Sequence, residues 1–138
     1  MPISAKVLAY LGLIPFIGIP ILIFSELLSA YSGYVYFVQY SAIILSFFGG
    51  IHWYDALQKK RTNHQLYVSM APSIVAWGAL IFLEGSMLLS VLSIAYIAIL
   101  MYDKYNLELE RQVVIEYTFL RIVLTTLVVL CHFLMVLI

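Results

Sequence analysis

The chain is poor in charge, and that scarcity says more about it than any motif. Seven basic and seven acidic residues occur among 138, so 10% of the chain is charged, where soluble domains carry about a quarter. The two signs cancel, leaving no basic footprint for nucleic acid. Cysteine is almost missing. Cys131 stands alone, which excludes an internal disulfide framework and any multi-cysteine zinc or iron–sulfur centre. Its residue type suits a small apolar core position. No catalytic or metal-binding motif is present, so no enzymatic activity is expected.

What is abundant is apolar. Hydrophobic residues make up 64% of the chain, and the mean hydropathy is +1.06. A folded chain this short keeps a large share of its surface, too much to hide such a composition from water. Lipid is the solvent that fits. The stretch 7–25 is free of charge and follows Lys6, as a signal peptide would. However, Leu28-Ser29-Ala30 puts Leu where a cleavage site wants a small residue. The stretch reads as an uncleaved membrane helix.

A hydrocarbon core of about 30 Å needs about 20 helical residues to cross it. Five segments qualify: 7–28, 34–57, 66–83, 86–102 and 119–138. Their apolar runs are continuous rather than alternating, which favours helices over barrel strands. The expected fold is all-α, a single membrane domain built as a transmembrane bundle of five helices. Polar connections at 58–65 and 103–118 carry most of the charge. Lys6, Lys59, Lys60, Arg61, Lys104, Arg111 and Arg121 all fall at the N-terminus or in these two connections and their edges. An N-in, C-out topology puts every one of them on the cytoplasmic side. Tyr31, Tyr34, Tyr36 and Tyr40 gather at the outer end of the second segment. Trp53, Tyr54, Tyr67, Tyr102, Tyr105 and Tyr117 mark the inner interface. The connection 103–118, with Glu108, Glu110, Arg111 and Glu116, is too polar for lipid and reads as a juxtamembrane helix or loop.

A few residues do more than fill lipid. Ala42, Ser46 and Gly50 recur every fourth position, with Gly49 beside them, a small-residue face suited to close helix–helix packing. Bare backbone there would also leave room for a ligand. His52 and Asp55 follow as neighbours on the same helix surface. Ionisable groups at membrane depth mark a candidate site. Arg121 is the nearest cation. Either it pairs with Asp55, or Asp55 ends its helix in water while Arg121 snorkels to the interface. On the last segment Tyr117, Arg121, Thr125 and His132 share one face, which must meet protein or a water-filled cavity. His52, Asp55, Arg121 and Thr125 thus form a candidate polar pocket, with Gly49 and Gly50 beside it and Trp53 and Trp77 as candidate walls.

No cofactor is expected. His52 lies about 8 Å from the inner end of its helix and His132 about 20 Å, a mismatch of about 12 Å that one haem iron does not bridge. His64 belongs to a connection. A haem held by one histidine, or shared between subunits, stays open. Zinc lacks ligands at matching depth. Gly12, Pro15, Gly18 and Pro20 in the first segment, and Pro72 and Gly78 in the third, predict kinks. Broken helices of this kind also build transporter sites.

The run YSAIILSFFGGIHW, from Tyr40 to Trp53, resembles the marker segment of the transmembrane protein 69-like family. LGLIPF from Leu11, APSIVAW from Ala71, and Leu120-Arg121 followed by Leu124-Thr125 resemble further pieces of it in the same order. Tyr54 departs, standing where the family pattern has a small residue. The resemblance implies a multi-pass protein of a bacterial or mitochondrial inner membrane and no particular reaction. With no Arg- and Ser-rich stretch before the first segment, a bacterial, organelle-encoded or processed chain is favoured.

Three functions are compatible with these residues. The foremost is a non-enzymatic accessory, assembly or scaffold subunit, partnered by lipids and by other membrane subunits or copies of itself. A second is a small-solute or proton transporter using the polar stripe. A third is lipid, quinone or haem binding at an inner pocket.

Overall fold

A computed structural model describes residues 2–59, 64–106 and 111–138 of the chain, apart from the side chains of Arg111 and Val114. Lys60, Arg61, Glu108 and Glu110, placed above in the two polar connections, lie outside the described residues. The described residues form six α-helices: α1 (Ile3–Leu11), α2 (Ile14–Phe24), α3 (Ala30–Gln58), α4 (His64–Phe82), α5 (Gly85–Asn106) and α6 (Arg111–Leu137). They contain no strand. Helices α1 and α2 together make one span, so five stretches are long and apolar enough to cross a membrane.

The first span breaks where its sequence forces it to. Pro15 has no N–H and sits in the first turn of α2. The carbonyl of Gly12 is left outside both helices, and Tyr40 donates its hydroxyl to it at 2.8 Å. A bare carbonyl at membrane depth costs several kcal/mol, so this one contact lets the break persist. At the opposite end of the bundle, Ser29 caps α3 by accepting from Ser32 N–H at 3.2 Å. The α4–α5 hairpin turns at Gly85, whose φ of 61° suits a residue without Cβ. Gly85 N–H donates to the Tyr34 hydroxyl at 2.6 Å.

Helix α3 is the centre of the bundle, packing on α2, α4 and α5. Its buried residues include Phe37, Ser41, Ala42, Leu45, Gly49, His52 and Asp55. Gly49 is where α3 and α4 come closest. A Cβ there would overlap the Ser69 carbonyl and press on Pro72. The small-residue face is therefore divided. Ala42 and Gly49 pack inward, Ser46 donates to the Ile43 carbonyl of its own helix, and Gly50 is open on the outside. Helices α4 and α5 bury regular seams: Gln65, Ser69, Pro72, Ala76 and Ala79 on one, Leu89, Leu92, Tyr96, Ile99 and Asp103 on the other. Alternating spacings of three and four residues are the packing period of near-antiparallel helices. Ile43, Phe47, Ile74, Trp77, Phe82, Ile94 and Phe133 form the exposed apolar exterior, as a bundle solvated by lipid requires.

Several expected boundaries move: the first span is Ile3–Phe24 rather than 7–28, and α3 begins at Ala30 rather than 34. Helix α5 runs on past residue 102 to Asn106, and α6 starts at Arg111 rather than near 119. The reason is local pairing. Asp103 falls on the buried seam of α5, so the helix continues to carry it to a partner. His64, expected in a connection, is the first residue of α4 and bonds the Tyr102 hydroxyl through Nδ1.

Candidate functional site

Four helices meet around a buried polar network at the end of the bundle that carries the α3–α4 and α5–α6 connections. Its centre is Arg121 on α6, only 2% exposed. Each guanidinium nitrogen has a separate situation. Nε donates to Asp103 Oδ2 at 2.9 Å, and Nη1 donates to Thr125 Oγ1 at 3.2 Å. Nη2 is buried and has no hydrogen-bond partner. The flat face of the group lies on the Phe48 ring, 3.6 Å from its centroid. Asp103 is shared. Its other oxygen, Oδ1, lies 2.5 Å from His52 Nε2.

Hydrogen-bond logic sets the state of His52. The Gln65 amide nitrogen donates to Asp55 Oδ2 at 2.9 Å and lies 3.1 Å from His52 Nδ1. A carboxylate only accepts, so Asp55 turns the amide N–H₂ of Gln65 toward both partners. His52 Nδ1 is then an acceptor, and the ring proton sits on Nε2, pointing at Asp103. In this arrangement the imidazole is uncharged. Asp55, Gln65, His52, Asp103, Arg121 and Thr125 form one continuous chain across α3, α4, α5 and α6.

The Asp55–Arg121 pair considered from sequence does not form. Asp103 takes the guanidinium instead, and Gln65 holds Asp55. Nor does Arg121 snorkel; it is one of the most deeply buried side chains of the bundle. Asp103 and Gln65 were the residues sequence reasoning missed. Both were legible. Each closes a seam of alternating three- and four-residue spacings on its own helix, a position that faces protein rather than water.

Beside the network is a groove of about 460 Å³ between α1, α3 and α6. Leu8, Gly12, Phe16, Phe47, Phe48 and Leu124 are among its mostly apolar walls, and Tyr117, Arg121 and Thr125 are its polar wall. Leu8 and Phe47 are exposed at its rim, so it opens sideways into the surroundings of the bundle. The Tyr117 hydroxyl, like Arg121 Nη2, is closed off from the groove and lies against the Arg121 guanidinium. Tyr117 and Arg121 are one helical turn apart on α6 and share a face. Trp53 and Trp77 are not walls. Both are exposed on the exterior and neither borders the groove, nor do Gly49 and Gly50. Tyr54 is also exterior, accepting from Gln58 at 2.8 Å, so its bulk does not intrude on the packing there.

His132, the deeper end of the polar stripe, belongs to a different cluster. Nδ1 lies 2.7 Å from the Val128 carbonyl, and Ser41 Oγ lies 2.7 Å from Nε2. A carbonyl accepts, so the proton is on Nδ1 and the serine hydroxyl donates to Nε2. Tyr96 in turn donates to the Ser41 carbonyl at 2.6 Å. The Phe16, Phe37 and Tyr96 rings surround the imidazole, with centroids 6.1, 5.1 and 5.6 Å away. Neither buried histidine presents a free ring nitrogen. Among the described residues no group of three or more His, Cys, Asp or Glu side chains is placed to hold a metal ion.

A family model described as "Protein of unknown function (DUF3429)" matches residues 1–137. Transmembrane protein 69 of Xenopus tropicalis is 34% identical over 134 residues. That match takes in 93% of this chain and 51% of the frog protein, so the chain spans about half the length of the curated relative it matches. No solved structure matches.

Proposed function

The chain belongs to the DUF3429 family of proteins of unknown function and is similar to transmembrane protein 69, and on that footing we propose that it is a membrane-embedded binding protein for a lipid-soluble ligand. The ligand enters the α1/α3/α6 groove from the side and is held without being chemically changed. One observation carries this reading. The groove is walled mostly by apolar side chains, opens sideways past Leu8 and Phe47, and has Tyr117, Arg121 and Thr125 as its polar wall. The size lies within the range of small-molecule sites, which are mostly apolar with a few placed polar groups.

An accessory or scaffold role has less to draw on. It draws on the absence of a catalytic motif, the small extramembrane part and the small-residue face, and of that face Ala42 and Gly49 are used within the chain itself. We further place the chain in a bacterial or mitochondrial inner membrane, with the network and the mouth of the groove toward the side that receives Lys6, Lys59 and Lys104.

Mass spectrometry of organic extracts tests the reading. Protein purified in mild detergent is expected to carry a bound species that Ala9→Trp, which fills the groove from α1, loses. Identical extracts from the two proteins would overturn it. Orientation is read separately, by labelling single cysteines at Lys59 and Glu84 from either side in a Cys131→Ser background. Labelling of both from the same side would refute a bundle crossed by α4.

A further inference from the structure

We infer that the groove holds one acyl chain of a bilayer phospholipid, gripped by its hydrocarbon, and that the head group takes no part in its selection. This rests on the groove reading above and names the chemistry of its ligand. The polar side chains that border the groove have their polar atoms engaged or closed off. Arg121 and Thr125 are only 2% and 3% exposed, and Nη1 of the arginine donates to Oγ1 of the threonine. The Tyr117 hydroxyl is shut in against the guanidinium. Tyr96, which also borders the groove, donates its hydroxyl to the Ser41 carbonyl. A ligand head therefore finds nothing on this wall to bond. What the groove offers is carbon, and close packing against carbon is what a hydrocarbon chain gains.

The dimensions agree. On the α1–α2 side the lining runs from Ala5 to Phe16, and on α6 from Tyr117 to Val128. At a rise of about 1.5 Å per residue, each wall is about 17 Å long. Half of a hydrocarbon core is about 15 Å, so the groove has the depth of one leaflet. Its inner end is marked by Lys6 and Glu116, the chain neighbours of Ala5 and Tyr117, which pair at 3.9 Å. An ion pair belongs at the lipid–water boundary, where the ester end of an acyl chain also sits. Spread over that length, about 460 Å³ gives a mean cross-section of about 28 Å². A helix with its side chains is about 10–12 Å across, so a partner's helix is too wide and a single extended chain is not. Leu8 and Phe47 are exposed at the rim, and a chain entering past them never leaves hydrocarbon. Once seated, it keeps water from the Arg121–Asp103 pair.

The test uses the full chain in phosphatidylcholine nanodiscs doped with one of three photoactivatable phospholipids. Two carry a diazirine halfway along one acyl chain, on a choline or a glycerol head. The third, a phosphatidylcholine, carries it on the head. Peptide mass spectrometry reads the labelling of Leu13 and Leu124 in the groove against that of Ile74 and Ile94, exposed on the exterior. With both chain probes, Ala9→Trp is expected to lower this groove-to-exterior ratio at least about five-fold, the two heads agreeing within about two-fold. With the head-placed diazirine the ratio does not move. Should Ala9→Trp fail to fold, Leu8→Trp at the exposed rim takes its place.

A fall that depends on the head, or one as large with the head-placed diazirine, would overturn the tail assignment and leave the groove reading in place. A ratio that the tryptophan does not move would overturn the tail assignment as well, and the organic extracts then decide the groove reading. A species lost from the Ala9→Trp protein would mean that something other than an acyl chain fills the groove. Identical extracts would mean that the groove reading itself fails.

Discussion

Two histidines sit deep in this bundle, and they hold opposite tautomers for opposite reasons. His132 carries its proton on Nδ1, which serves a carbonyl of its own helix, and its other nitrogen is satisfied by Ser41. Aromatic rings close around it, and among the described residues it makes no ion pair. His52 carries its proton on Nε2, sandwiched between a glutamine and an aspartate that also holds an arginine. The first cluster is complete. The second holds the buried Arg121–Asp103 ion pair and runs to the polar wall of a groove. A polar cluster sealed by rings tells how helices are locked together; one that reaches a cavity wall tells where a ligand would meet polar side chains.

The contrast can be broken most forcefully at its charged end. Asp103→Leu leaves Arg121 buried without its counter-charge and is expected to destabilise the bundle by about 3–5 kcal/mol. Thermal unfolding in detergent measures this, and a loss under about 1 kcal/mol would mean that the pair does not govern the inner end. Next in size is Gly49→Ala, which drives a methyl group into the Ser69 carbonyl and must separate α3 from α4. About 1–3 kcal/mol is expected, the range for overpacking, and an unchanged melting temperature would show that the two helices are not so close.

His132→Phe should cost about 1 kcal/mol, since it strips one interhelical hydrogen bond from Ser41. It is expected to leave ligand content unchanged, and any loss of the extracted species would erase the distinction between the two clusters. Gln65→Leu sharpens the comparison from the other side. With the amide gone, Asp103 still holds a proton on Nε2, but Nδ1 loses its donor, so the Nδ1 ¹⁵N shift should move away from its native value while Nε2 stays protonated. An Nδ1 signal identical to the native one would mean that Gln65 does not donate to it. The smallest effect is assigned to Trp77→Leu on the exterior, 65% exposed, where lipid replaces the lost contacts and stability should stay within about 0.5 kcal/mol.

Much of the fold could be read directly. Low charge and continuous apolar runs require helices in lipid, and the five spans follow from the thickness they must cross. Pro15 and Gly12 marked the break in the first span before its geometry was known. The face carrying Tyr117, Arg121, Thr125 and His132 does turn toward protein, with the last three buried. What was misread came from treating 103–118 as one polar connection by composition. Asp103 looks like the first residue outside lipid when counted by hydropathy, and like the last residue of a buried seam when counted by period. Hydropathy averages over a window; burial acts on one side of one residue.

The amino-acid sequence by itself determined that this chain dissolves in lipid, how many times it crosses, and which face of its last helix is polar. These follow from composition and from the 3.6-residue period, both properties of a helix considered alone. Tertiary structure decided which carboxylate Arg121 answers, where the two imidazole protons reside, and that Arg121 and Tyr117 belong to the polar wall of a groove. Each depends on residues far apart in the chain arriving at the same depth and rotation. That is set by how five spans pack against one another, and no single span carries it.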